Sequence, residues 1–331
     1  MTTTDKRATL ILNWLENELN LDVKSFQPAS SDASFRRYFR VEHPQGSYIV
    51  MDAPPEKEDT APFIAVATLL KNAKVNVPQI YHKNLEQGFL LLEDFGSQCL
   101  LEELNPDTAD SLYQNAFAEL FKLQRDTCIH SSNLPAYDAE LLSNELDLFY
   151  DWFTQRLLGH SMPKALQASL NKLLIDSALE QPQVCVHRDY HSRNLMYLNS
   201  SPVGVIDFQD AVIGAITYDL VSLLRDCYIS WSSEKLDTWL KDYYQRLSDA
   251  ELLEVPFATF KRWFDLMGLQ RHMKAIGIFS RLNLRDNKPA YLADIPRTMN
   301  YVVQVCESYP ELSEFQQWLT AEILPIYQQK L

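Results

Sequence analysis

The sequence predicts an α+β fold in two lobes, a small, mostly antiparallel β lobe over residues 1–94 and a larger helical lobe over 95–331. Three observations carry this. Short β-type runs separated by turn residues fill the N-terminal part, and apolar residues at three- and four-residue spacing dominate the remainder. The chain's 331 residues also exceed one small core and suit two lobes at roughly 150 residues each.

Taken in order, Leu10, Ile11, Trp14, Leu15 and Leu19 hold helical spacing, so the chain opens with an amphipathic helix over 5–19. FRRYFRVEH at 35–43 and SYIVMDA at 47–53 flank PQG, a hairpin signal. After Pro54 and Pro55, TAPFIAVATLLKNA at 60–73 reads as a helix, and PQIYHKNLEQGFLLLEDFG as two short strands around a polar turn. Beyond Gly96 the spacing predicts helices near 108–126, 138–157, 164–180, 234–248, 257–280 and 311–328. Two short apolar runs, Val184–Val186 and Val203–Ile206, are expected as β pieces within this helical part. With 8 glycines in the chain, flexible joints are scarce, and EDFG at 93–96 is the expected boundary between lobes.

Composition excludes several classes. Thirty Lys and Arg against 44 Asp and Glu give a net charge of -14, which argues against nucleic acid as a partner. Five cysteines, odd in number and without CxxC spacing, suggest neither a disulfide framework nor a zinc site and fit a reducing cytoplasm. ATLIL is short for a signal-peptide core, and FIAVATLL falls far below the ~20 residues of a membrane-spanning helix, so no membrane association is expected.

Each of the two apolar runs ends in functional polar groups: HRDYHSRN follows the first and IDF closes the second. Laid side by side with their carboxyl ends at a cleft, these strands would bring Asp189, Asn194 and Asp207 together. Two carboxylates and an amide oxygen are hard donors of the kind Mg²⁺ takes while also binding phosphate. One carboxylate left off the metal can accept a hydroxyl proton, a division of labour that fits phosphoryl transfer.

His187-Arg188-Asp189 with Asn194, and Ile206-Asp207-Phe208 downstream, resemble a kinase catalytic loop and its metal-binding aspartate motif. The metal-aspartate motif reads IDFQ, with Gln209 in place of the glycine of a DFG, and no APE-bounded activation segment follows it. IDFQDAVIGAITYDLVSLLRD is similar to the aminoglycoside phosphotransferase and choline kinase group of small-molecule kinases, which have a protein-kinase-like fold. SSDASFRRYFRV, IVMDAPPEKED, LLEDFG, HRDYHSRNLM, GVIDFQDAV and ITYDLVSLLRDCYISW extend the resemblance over nearly the whole chain, toward amino-sugar kinases of cell-wall recycling that act on the anomeric hydroxyl of N-acetylmuramate and N-acetylglucosamine. The resemblance implies ATP and Mg²⁺ as cofactors, Asp189 as base, Asn194 and Asp207 as metal ligands, and an adenine-contacting hinge at Glu93–Phe95. It further implies supporting roles for His187 and Arg188, and for Asp219 as a helix cap or as an acceptor of loop N–H groups.

The pattern departs from the family in its phosphate contacts. The expected glycine-rich loop is PASSDASFRRYF, without a glycine, so Ser30, Ser31, Asp32 and Ser34 would have to shape the turn and meet the phosphates. The lysine expected in IVMDAPP is replaced by Met51 or Asp52, and the helix at 60–73 offers no glutamate. Strand alternation puts Arg37 on the face of Phe35, Phe39 and Val41, making it, or Arg36 in a shifted register, the candidate phosphate ligand. Arg193, Gln209 and Asp210 are candidates to hydrogen-bond a sugar or its carboxylate substituent, while Tyr228 and Trp231 read as stacking or packing aromatics. Phosphorylation of an aminoglycoside, a choline-like amine or an amino acid, and a non-catalytic nucleotide-binding scaffold, are the competing functions.

Overall fold

In the computed structural model, which describes residues 5–31, 35–199 and 202–330, nine strands and twelve α-helices are found among the described residues. The strands are β1 Ser25–Ser31, β2 Arg37–His43, β3 Gly46–Asp52, β4 Ile80–Asn84, β5 Phe89–Glu93, β6 Gln183–Val186, β7 Leu195–Met196, β8 Gly204–Val205 and β9 Val212–Ala215. The helices are α1 Lys6–Asn13, α2 Ala61–Asn72, α3 Leu100–Glu103, α4 Ala109–Asp126, α5 Ala139–Leu148, α6 Lys164–Leu179, α7 Tyr218–Leu224, α8 Ser233–Asp249, α9 Phe257–Leu284, α10 Ile295–Ser308, α11 Ser313–Trp318 and α12 Leu324–Lys330. Two compact units result: residues 1–119 with 194–210, and residues 120–193 with 211–331.

Unit 1 is built on an antiparallel sheet of order β1-β2-β3-β5-β4. Alternation along its strands splits the apolar residues between two faces. On one face Phe39, Val41, Val50, Phe89 and Leu91 pack with Ile11, Trp14 and Leu15, which α1 and its continuing turn supply. Met51, Leu90 and Leu92 alternate onto the other face and are also buried.

Unit 2 is helical around α9, whose Leu266, Leu269, Met273, Ile276 and Phe279 join the core formed with Leu146, Phe149, Phe153, Met299 and Val302. Its buried length explains why 28 residues persist as one helix without a side-chain N-cap. Gly277 permits the closest approach, since a Cβ there would lie 2.3 Å from the Leu148 carbonyl carbon.

Two features differ from the sequence expectation. The Val184–Val186 and Val203–Ile206 runs do not lie side by side: β6 pairs with β9, and β8 with β7. EDFG lies within unit 1, because the β7–β8 hairpin is tied to its surroundings, with Tyr197 N donating to Gln98 O and Val205 N to Asn76 O.

Candidate active site

The β7–β8 hairpin places two of the candidate residues next to each other in unit 1. Register Leu195↔Val205 sets Asn194 opposite Ile206, whose N–H donates to Asn194 O at 3.1 Å. Asp207 follows at φ +63°, a left-handed conformation that re-aims its side chain out of strand alternation. Asn194 Nδ2 then donates to Asp207 Oδ2 at 3.2 Å. Gln209 Nε2 donates to Asp207 Oδ1 at 2.9 Å and to Asp210 Oδ2 at 3.3 Å. Gln209 Oε1 is buried and has no hydrogen-bond partner among the described residues. A carboxylate beside an amide is a hard-oxygen donor pair suited to a divalent cation that keeps several waters, and turning the Asn194 amide presents its oxygen. Among the described residues no three of His, Cys, Asp or Glu gather into a closed metal cage.

Phe208 is fully buried and packs on Phe63 of α2 at a ring separation of 4.9 Å. The helix without a glutamate thus meets the Asp207 segment through an aromatic contact. Phe95 lies against β8, where a Cβ on Gly204 would come within 2.4 Å of its ring. Glu93 donates its N–H to Gln79 O at 2.8 Å and accepts Gln79 N on Oε2. Between them, Asp94 forms a two-bond pair with Arg40 at 2.7 and 3.0 Å, tethering the segment to β2.

Arg37 has carboxylate partners rather than a position on the Met51 face. It pairs with Asp52 and Asp5 on the face beneath α1. Asp52 is fully buried and also accepts Arg7 Nε at 2.7 Å, so two arginines compensate it. Arg37 Nη1 and Nη2 both meet Asp5, whose carboxyl is held below its ordinary range chiefly by that bond. Ser31 ends β1, and Ser34 lies outside the described residues, as does Asp32.

Unit 2 holds the remaining groups. Directly after β6 the backbone turns at Arg188, φ +76°, again left-handed. Asp219, fully buried on α7, accepts His187 N on Oδ2 at 2.7 Å and Arg188 N on Oδ1 at 3.0 Å. Burial pushes its carboxyl up to about 6, against His187 and the two N–H groups, which favour the carboxylate. Asp219 holds the turn. His187 Nδ1 accepts Asp189 N at 3.2 Å, so the imidazole orders the loop through its backbone.

Asp189 is partly exposed. Burial raises its pKa, but Lys274, His191, Arg271 and His187 outweigh this and hold it below the ordinary carboxylate range. Lys274 Nζ meets Glu145 Oε1 at 2.9 Å and donates to Tyr218 OH at 3.0 Å. Glu145, 5% exposed, also pairs with Arg188 at 2.5 Å and accepts from Tyr137 OH. Lys274 and Glu145 were not among the sequence candidates. Their signal was a lysine and a glutamate at positions that helical spacing assigns to the interior.

The model of the phosphotransferase enzyme family matches residues 25–255 of this chain. The chain belongs to the phosphotransferase enzyme family. Within the family it is 45% identical over 324 residues to the N-acetylmuramate/N-acetylglucosamine kinase of Pseudomonas putida, covering 94% of this chain and 95% of the relative. It is 46% identical over 298 residues to the enzyme of that name from Pseudomonas aeruginosa, covering 89% and 87%. Similar solved structures include the choline kinase of Streptococcus pneumoniae, with a TM-score of 0.63, 12% identity and 89% and 99% coverage. An ADP-bound aminoglycoside phosphotransferase gives 0.60, 15%, and 91% and 99%. The fold is the two-lobed, protein-kinase-like one, and the chain is a phosphotransferase.

Proposed function

We propose that this phosphotransferase transfers the γ-phosphoryl group of ATP to the anomeric hydroxyl of N-acetylmuramate and N-acetylglucosamine. The observation that carries the reading is the likeness to the Pseudomonas putida kinase, which runs nearly end to end in both chains. Asp189 takes the hydroxyl proton as the sugar oxygen bonds to phosphorus and the bond from phosphorus to the ADP oxygen breaks, giving sugar phosphate, ADP and a proton. An anomeric hydroxyl is more acidic than an ordinary alcohol, so a carboxylate suffices as base. The cations around Asp189 keep it ionised and ready to accept.

Asn194 and Asp207 would hold Mg²⁺, a role that fits their adjacent oxygen donors. Bound there, Mg²⁺ supplies neutralisation of charge on the transferring phosphoryl group. Gln209 and Asp210 adjoin Asp207 and would fix its carboxylate and meet the acceptor. Glu93–Phe95 serves as the nucleotide hinge, braced through Arg40 and Asp94. ATP as donor places the enzyme in the cytoplasm in this reading, and no helix among the described residues is long and apolar enough to cross a membrane.

Asp189→Asn should reduce turnover by ~10²-fold or more, because the amide cannot take the proton. Activity within tenfold of wild type would remove Asp189 from that role. ADP release measured across amino sugars, aminoglycosides and choline identifies the acceptor, and a non-catalytic scaffold releases none with any of them.

A further inference from the structure

Helix α9 carries Trp263, Arg271 and His272, all buried, and they do not behave alike. Trp263 donates to Glu180 at 2.6 Å. His272 bonds to Arg225 O at 2.9 Å and stacks on Tyr301, and burial pushes its pKa down to about 3, so it is a neutral core residue. Arg271 is 5% exposed, bonds through Nη1 to Cys227 Sγ at 3.7 Å, and has no partner for Nε among the described residues. A buried guanidinium is costly unless its charge is answered, and for Arg271 the charges of Asp189 and Asp226 contribute to that.

Two more arginines meet the same two-residue stretch. Arg297 Nη1 donates to Cys227 O at 2.8 Å. The Arg193 guanidinium lies 3.7 Å from the centre of the Tyr228 ring, whose position His191 also fixes edge-on. Three carboxylates lie nearby: the charges of Asp189 and Asp226 act on Arg271, and Arg193 and Arg297 act on Asp294. Asp226, fully buried, already accepts Ser192 N, Ser192 Oγ and Tyr228 N. Asp294 touches Arg297 at 3.5 Å; burial raises its pKa, while Arg193 and Arg297 favour its carboxylate. Three guanidinium groups thus converge on one loop of a chain whose net charge is -14.

Arg193 is exposed and Arg297 partly so, and both can reach a ligand. Arg193 also sits in the segment between Asp189 and Asn194. We propose that Arg193 and Arg297, backed by the buried charge of Arg271, form a subsite for a carboxylate on the acceptor sugar. That group is the lactyl carboxylate present in N-acetylmuramate and absent from N-acetylglucosamine. The inference rests on the amino-sugar reading above. Arginine suits the task because its planar fork matches a carboxylate.

Steady-state kinetics of the full chain on both sugars tests it, using wild type, Arg193→Ala, Arg297→Ala and Arg297→Lys. Loss of a charge-assisted bond should raise the KM for N-acetylmuramate about 10- to 100-fold more than the KM for N-acetylglucosamine, with lysine restoring part of the loss. Lactate, the carboxylate arm alone, should compete with N-acetylmuramate in wild type and less so in the variants. Equal losses on the two sugars would make the arginines structural, and a raised KM for ATP alone would make this a phosphate site; either overturns the proposal. If Arg297→Ala does not fold because Cys227 O loses its donor, exposed Arg193→Ala decides. A wild-type enzyme inactive on both sugars overturns the amino-sugar reading together with the subsite, a failure visible before any substitution.

Discussion

The turn at His187–Arg188 shows how one side chain holds a strained backbone in place. A non-glycine residue at φ +76° costs about 1–3 kcal/mol and persists only where its surroundings impose it. Asp219 imposes it by accepting two consecutive N–H groups from a position with no solvent exposure. In Asp219→Ala both donors lose their acceptor in a place water does not reach. The expected loss in unfolding free energy is about 2–4 kcal/mol, read by denaturant titration. Turnover should fall as well, because Asp189 lies one residue beyond the released turn. Full activity at reduced stability would show that the turn is held without Asp219.

Between elements, the same logic of buried charge links α1 to the sheet. Asp52, on the strand where the family's lysine was expected, is a buried carboxylate answered by Arg7 from α1 and by Arg37 from β2. Arg37→Ala leaves Arg7 in place and removes an arginine that is 39% exposed, so the expected cost is modest, about 1–2 kcal/mol by thermal or denaturant unfolding. A raised nucleotide KM at unchanged stability is instead the signature of the phosphate contact that strand alternation suggested. Alternation identified the correct partners for Arg37 on β2, Phe39 and Val41, but could not show that α1 covers that face. Hairpins and long helices were legible because their period is local. Strand β1, SFQPASS, was not, since it lacks alternating apolar residues and shifts register between Pro28 and Ser30. Helix α10 keeps Ile295, Met299 and Val302 at helical spacing, yet begins IPR and runs through YVV, which blurs the period.

At the scale of the whole molecule, HRDxxxxN and IDF were legible because spacing along the chain preserves them, whereas the charges that set the state of Asp189 were not. Glu145, Arg188 and Lys274 are far apart in sequence and meet only when α5, the turn after β6 and α9 pack within unit 2. Two cations there share one carboxylate, and the surplus positive charge acts on Asp189. Because the Asp189 pKa is depressed in the folded state, its carboxylate adds stability that is fully present above the unfolded value, near 3.8, and is lost as pH falls through the lower folded value. The same depression keeps the base ionised under acid conditions, so turnover should persist until pH drops into that range. Lys274→Met removes the largest of the attractions on the Asp189 carboxylate while Arg188 still pairs with Glu145. The Asp189 pKa then rises, the acid limb of the kcat profile moves to higher pH, and the acid-side stability contribution shrinks. Turnover should fall more on the acid side of the profile than at pH 8, and a profile lowered equally at every pH would show that Lys274 acts on Glu145 packing alone.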